Sequence, residues 1–289
     1  MDPPKLSIVT PSFNQGRFLE ETILSVLNQN YPNLEYLIID GGSTDNSVEI
    51  IKRYEARLTY WVSEPDRGQV HALNKGLERA TGTYFAFINS DDLYLPGIFS
   101  ELVNCFRENP DCQWLCGDTI FFGEGHQTRL YPAIVPRSAA QALSWLAHCP
   151  QPGMFWRREL VASGFSENWP YDFDHEMYVR LLLAGHKCWH ISLPVAAYRL
   201  HASSKTVAEG DRQENEFDLL AQHYEERLQG VGKRWCKATR HLRRAYKLGA
   251  QGRTAEGAKW LFRALIAHPE GVVQRPFWGT LHALLKSLR

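Results

Sequence analysis

The chain has 289 residues, 44% hydrophobic and 22% charged, enough apolar material for one large α/β domain with an appendage or for two modest domains. No repeat or low-complexity tract suggests disorder, and no run of about 18 apolar residues offers a membrane span. Lys plus Arg and Asp plus Glu stand at 32 each, but the zero balance is uneven. From Arg227 onward Lys and Arg far outnumber Glu226, Glu256 and Glu270, so the tail is strongly basic.

The start, Met1-Asp2-Pro3-Pro4-Lys5, enters a strand at once without a signal-peptide core, and the expected location is the cytoplasm or its membrane surface. Cys105, Cys112, Cys116, Cys149, Cys188 and Cys236 lack paired C-x-x-C spacing, which points to reduced thiols and away from zinc. Lys5 to Thr10 reads as a first strand, followed by the loop Pro11-Ser12-Phe13-Asn14. The next segment is a helix with Leu19, Ile23 and Val26 on one face. Leu34 to Ile39 is nearly all apolar, as a central parallel strand requires, and ends in Asp40-Gly41-Gly42-Ser43-Thr44-Asp45. A third strand is expected around Leu58 to Val62, then the loop Ser63-Glu64-Pro65-Asp66-Arg67-Gly68 and a helix through Val70, Leu73 and Leu77. This alternation predicts a doubly wound sheet.

Tyr84 to Ile88 is an apolar strand that runs into Asn89-Ser90-Asp91-Asp92. Strand carboxyl ends in open α/β sheets are where ligands bind, and two adjacent carboxylates there suit a divalent cation. The competing reading is that one of them caps the helix starting near Gly97. Further on, a helix is expected over Ile98 to Arg107, and strands over Gln113 to Leu115 and Thr119 to Phe122, as a hairpin or as additions to the sheet. Next come a helix over Ala139 to Ala147, a helix opened by Asp172-Phe173-Asp174-His175-Glu176, and a strand from Cys188 to Tyr198. From about Val207 the texture is helical: one helix from Asp211 to Leu228, a hairpin around Gly249 to Gly252, and a last helix after Pro276 striped by Phe277, Leu281, Leu284, Leu285 and Leu288.

The turn after the first strand has no G-x-G-x-x-G, and no G-x-x-x-x-G-K-[ST] occurs, which removes dinucleotide and P-loop sites. The motifs Thr10 to Asn14, Ile39 to Asp45, Ser63 to Gly68, Asn74-Lys75-Gly76 and Asn89 to Asp92 instead resemble, in order and spacing, family 2 glycosyltransferases. The resemblance covers roughly Lys5 to Thr206. It implies an α/β GT-A domain over residues 1–206, with residues 207–289 as a basic, all-helical C-terminal extension.

What the resemblance implies for the residues is specific. Thr10, Pro11 and Phe13 would wall the base pocket, Asp40 would accept a hydrogen bond from the base, and Asp66 and Arg67 would line the same cleft. Lys75, Ser90 and Arg199 would attend the donor diphosphate. Asp91, supported by Asp92 and His201, would hold Mg²⁺ or Mn²⁺, although Asn89 stands where many members carry the first Asp of a D-x-D motif. His71 also stands where close relatives carry Asp. Asp174 would be the catalytic base of an inverting transfer; its alternative is first-turn capping, and Glu176 could as well pair with Arg180 four residues on. His148 and Gln151 could face the acceptor. Trp145, Trp156, Trp169 and Trp189 could stack on sugars, with core packing as the default.

The function so implied is transfer of a sugar from a nucleotide-diphosphate donor, a UDP-sugar first, to a hydroxyl of a glycan or lipid-linked saccharide, as in cell-surface polysaccharide synthesis. The alternative is a catalytically silent nucleotide- or glycan-binding module, which Asn89 favours. A sugar nucleotidyltransferase would want a Gly-rich basic loop near the start, and there is none. No base-reading motif accompanies the basic tail, so nucleic acid is not an expected partner; a solvated helical surface and an anionic inner membrane face are the two readings left.

Overall fold

The computed structural model describes residues 2–144, 147–269 and 278–282. Nine strands form one mixed sheet: β1 (Leu6–Ser12), β2 (Leu34–Asp40), β3 (Tyr60–Ser63), β4 (Tyr84–Phe87), β5 (Leu93–Tyr94), β6 (Trp114–Gly123), β7 (His126–Tyr131), β8 (Met154–Arg157) and β9 (Cys188–Leu200). The order is β3-β2-β1-β4-β8-β6-β9-β5, with β7 pairing β6. β1 to β4 are mutually parallel, and β8 enters antiparallel between β4 and β6.

Alternate residues of the same apolar strands feed two separate cores. Leu6, Ile8, Tyr36, Ile38, Tyr84 and Ala86 pack on one face with α1 (Leu19–Leu27), α2 (Ser47–Tyr54) and α4 (Ile98–Glu108). Val9, Leu37, Ile39, Phe85 and Phe87 pack on the other with α3 (Gln69–Arg79). Burial on both faces is why these strands read as continuous hydrophobic runs. α3 lies so close to β1 that a Cβ on Gly76 would sit 2.4 Å from Val9 Cγ1, and only glycine fits there.

Three expectations change. The third strand begins at Tyr60. The two segments after Asn109 are parts of one ten-residue strand, β6, irregular around Gly117 and Asp118, and the hairpin is with the polar β7. The helix expected to Ala147 is α5 (Ala139–Ala142) alone, capped by Ser138. All six cysteines are free.

The chain divides into two compact units: Met1–Val135 with His148–Gly210, and Pro136–Ala147 with Asp211–Arg289. The first adds α6 (Phe173–Leu183) and α7 (Lys205–Ala208). The second holds α5, α8 (Gly210–Glu225), α9 (Gly230–Ala250) and α10 (Thr254–Ala267). The division falls at Gly210, beyond the expected Thr206, and takes Pro136–Ala147 into the helical unit. That segment packs on α9 there, with Ala140 beside Gly232. Most of the last-helix stripe lies outside the described residues; Leu281 packs inward against the cluster of Leu242, Ala245, Leu261 and Ala264.

Candidate functional site

Ser12, Asp40 and Ser63 are in register at the carboxyl ends of β1, β2 and β3, and β1 pairs β2 on one side and β4 on the other. This is the switch point of an open sheet, where the diverging connections leave a crevice. A cleft of about 480 Å³ lies there. Pro11, Ser12, Phe13, Gly41, Pro65 and Asp66 form one part of its wall, Gln69, Asn89, Ser90 and Asp91 another, and Tyr198, Ser203, Ser204 and Lys205 a third.

Asp40 is fully buried and shapes the wall from behind. Its carboxylate accepts hydrogen bonds from the amides of Gly42 (3.1 Å) and Ser43 (2.8 Å) and the hydroxyls of Ser43 (2.6 Å) and Ser63 (2.7 Å). Four donors use the lone pairs a carboxylate has, and Gly42, at φ +83°, closes the turn. Asp40 therefore does not face the cleft. Thr10 is also buried, 3.0 Å from the Tyr36 hydroxyl. Asp66 does face the cleft, accepting from the Gly68 amide at 2.7 Å.

Asp91 and Asp92 are adjacent but face different surroundings. Asp91 lines the cleft, and its Oδ2 lies 2.9 Å from Nε2 of the buried His201. Asp92 points inward at 1% exposure, accepting from the Arg199 amide at 2.8 Å. Burial, and then the Asp91 charge, hold its carboxyl well above the usual range, against the pull of Arg199 and Asn89. Asp92 is thus held inward, behind the wall that Asp91 lines.

The cations expected at the diphosphate are engaged elsewhere. Arg199 donates to the Asp91 carbonyl at 2.8 Å, pairs with Glu21, and lies over the rings of Phe18 and Phe122 in a neighbouring cavity of about 260 Å³. Lys75 pairs with Glu64. Arg67 makes a two-point contact with Glu167, at 3.0 and 2.7 Å, while its amide donates to His71 Nδ1. The cation that does line the cleft is Lys205, which neither composition nor motif singled out. It donates to Gln69 Oε1 at 2.8 Å and lies over Tyr171. Its position in a polar loop after a strand-end histidine was the available signal.

Lys205 is one end of a chain of amides. Gln69 donates to Asn89 Oδ1 (2.6 Å), Asn89 donates to Gln151 Oε1 (3.2 Å) and Asp92 (3.4 Å), and Gln151 donates to the Phe87 carbonyl (2.9 Å). Gln151 is therefore committed to this chain. Asn89 needs both its donor and its acceptor here, and a carboxylate could not donate. Asn89→Asp should lower stability by about 1–3 kcal/mol at neutral pH, the cost of unsatisfied buried partners. The deficit should shrink as pH falls, because the new carboxyl can donate once it is protonated. Thermal melts across pH check this; a variant as stable as wild type at pH 7 counts against the relay.

Asp174 is the second residue of α6, whose N-cap is Asp172. It accepts from the His175 amide at 2.8 Å and from the Tyr178 hydroxyl at 3.4 Å, with its side chain 15% exposed. His175 Nδ1 lies 3.7 Å from Asp174 and 3.5 Å from Asp172. Burial lowers the His175 imidazole, but these two carboxylates outweigh it and raise it to about 9. Asp174 does not line the cleft itself. Tyr198, which does line the cleft, has its phenol raised by burial first and then by Asp92, Asp91 and Asp174, against its hydrogen bond with Thr206. Glu176 is buried and pairs with Arg180 at 3.3 Å, four residues on, and Trp156 is buried in the core beside Phe87. His148 is partly buried and packs on Phe121 and Tyr131. Trp145 lies outside the described residues.

Among the described residues no three His, Cys, Asp or Glu side chains are grouped to hold a metal by themselves. Asp91 and His201 do fit one that takes its remaining ligands from a diphosphate and water, as Mg²⁺ and Mn²⁺ do.

Residues 7–165 match the family described as Glycosyl transferase family 2. An uncharacterized glycosyltransferase of Haemophilus influenzae is 38% identical over 112 residues, 38% of this chain and 45% of that protein. A putative teichuronic acid biosynthesis glycosyltransferase of Bacillus subtilis, TuaG, is 42% identical over 92 residues, 31% of this chain and 36% of that one. This chain therefore spans less than half the length of either relative. Two solved structures share the fold at low identity. S. aureus TarS with UDP-GlcNAc has a TM-score of 0.66 at 16% identity, covering 98% of this chain and 89% of that one. The Pyrobaculum calidifontis mannosyltransferase PcManGT with GDP-Man and Mn²⁺ has 0.65 at 18%, covering 98% and 85%.

Proposed function

Because this chain belongs to glycosyl transferase family 2 and has its GT-A fold, we propose that it moves a sugar from a nucleotide-diphosphate donor, a UDP-sugar first, to a hydroxyl of a glycan or lipid-linked saccharide, inverting the anomeric centre. The acceptor chemistry belongs to the synthesis of a cell-surface polysaccharide, in line with the relative named for teichuronic acid. We place the protein in the cytoplasm, with its helical unit at an anionic membrane surface. No helix among the described residues is long and apolar enough to cross a membrane.

The observation that carries the reading is Asp91, presented at a strand end into a cleft of nucleotide size, with His201 2.9 Å behind it. The base lies against Pro11, Phe13 and Asp66, and the diphosphate toward Ser90, Asp91 and Lys205. Asp91 and His201 would hold a divalent cation, which would supply positive charge opposite the departing diphosphate. Asp174 takes the proton of the acceptor hydroxyl as that oxygen bonds to the anomeric carbon, and the bond to the diphosphate breaks on the opposite face. Lys205, at the solvent-exposed rim of the cleft, stabilises the charge left on the phosphate oxygens.

Calorimetry with UDP, GDP, dTDP and CDP, each with and without Mn²⁺, tests this. One nucleotide should bind clearly, UDP first, and only with the metal. GDP selected over UDP would move the donor to the guanosine class, and no binding under any condition would leave the silent module that Asn89 favours.

A further inference from the structure

The helical unit carries a site unrelated to the donor cleft. Helix α9 has seven Lys and Arg residues and no Asp or Glu, and its charge divides by face. Arg240, Arg243 and Lys247 pair with Glu225, Asp218 and Glu214 of α8. Arg234, Lys237 and Arg244 lie on another stripe, exposed, and no carboxylate among the described residues pairs with them. Between that stripe and α10 lies a groove of about 360 Å³ lined by Lys237, His241, Trp260, Arg263, Ile266 and Ala267.

Arg244 and Arg263 each lie 4.5 Å from the centre of the Trp260 ring, so the indole is already covered by cations and cannot stack on a base or a sugar. What remains open is apolar: Phe262 and Ile266, one turn apart on α10, are 64% and 66% exposed. The positive potential is concentrated at the groove. Burial lowers the His241 imidazole, and Arg240, Lys237, Arg263 and Arg244 lower it further, to about 4.

We propose that the groove between α9 and α10 seats the phosphate-bearing headgroup of an anionic lipid, with Phe262 and Ile266 entering the acyl layer beside it. Unpaired cations around an apolar floor, flanked by exposed large apolar side chains, complement a bilayer surface that offers negative charge and hydrocarbon together. A nucleic acid would use the charge but not the apolar pair. This names the site of the membrane contact proposed above and rests on none of the donor chemistry.

The test is cosedimentation of the full chain with vesicles of phosphatidylcholine alone and of phosphatidylcholine mixed with phosphatidylglycerol. Wild type should bind the mixed vesicles, less so at high salt. Lys237→Ala with Arg263→Ala should weaken binding on the order of 30-fold, the usual worth of two near-surface cations. Phe262→Ser should weaken it at unchanged charge, and the His241 imidazole, followed by NMR, should titrate at higher pH when vesicles are bound. Circular dichroism and thermal melts report folding of each variant, and nucleotide binding by the other unit is read separately. Unchanged vesicle binding in the double variant overturns the proposal. So does binding to duplex DNA as tight as to the mixed vesicles with no effect of Phe262→Ser.

Discussion

Asp174→Asn should reduce turnover about 100- to 10,000-fold, the range that a positioned general base contributes, with nucleotide binding unchanged. Asn has nearly the volume of Asp and can still accept the His175 amide hydrogen bond, so the start of α6 should survive. What it lacks is basicity. A role confined to the helix start would show the reverse pattern, a lower melting temperature with turnover retained within a few-fold. His175 supplies an independent readout. Asp174 and Asp172 raise its imidazole to about 9 against the effect of burial, so removing one charge should bring its titration down. The same linkage has a sign in wild type: a raised histidine contributes stability that is full below its ordinary value of 6.5 and is lost as pH rises through about 9. Asp174→Asn should flatten that loss. Turnover near wild type with a lowered His175 titration would remove Asp174 from the reaction.

Asp91→Ala should abolish metal-dependent nucleotide binding, by more than ~100-fold, since even the outer partners of metal ligands cost about 10- to 100-fold. Asp91 is the carboxylate that combines access to the cleft with a histidine neighbour at 2.9 Å. Asp92→Ala should behave differently. Its carboxyl accepts the Arg199 amide and lies beside the Asn89 amide, so its loss should appear mainly as lower stability of the loop, with the metal dependence retained. Calorimetry with and without Mn²⁺ separates the two. Equal loss of metal dependence in both variants would return Asp92 to the ligand set.

The division between the two carboxylates shows what a sequence can and cannot carry. Continuous apolar runs that end in Asp40, in Ser63 and in Asn89 to Asp92 are local signals, and they determined the parallel strands and the edge where the cleft lies. Burial on both faces of the sheet follows from the same runs, because no polar alternation was left for solvent. The helical hairpin of α9 and α10 was legible from its turn at Gly249 to Gly252, but not which residues it leaves exposed, Tyr246 and Phe262 among them. The family was legible too, through motifs whose spacing reflects the strand ends themselves.

Which side chain of each motif reaches the cleft was decided by tertiary structure. Asp40 turns inward because Gly42, Ser43 and Ser63 converge on it, and Arg199 is withdrawn because Glu21 and the Asp91 carbonyl lie 178 and 108 residues away in sequence but beside it in space. Lys75 and Arg67 are taken by Glu64 and Glu167. Lys205 lines the cleft because α7 starts just beyond the end of β9, after the polar loop that follows His201. A charged residue at a given spacing has one identity but several possible partners, and only the folded chain selects among them. The sequence by itself determined the sheet and the edge where the cleft lies; long-range pairing decided which of its charged side chains line that cleft.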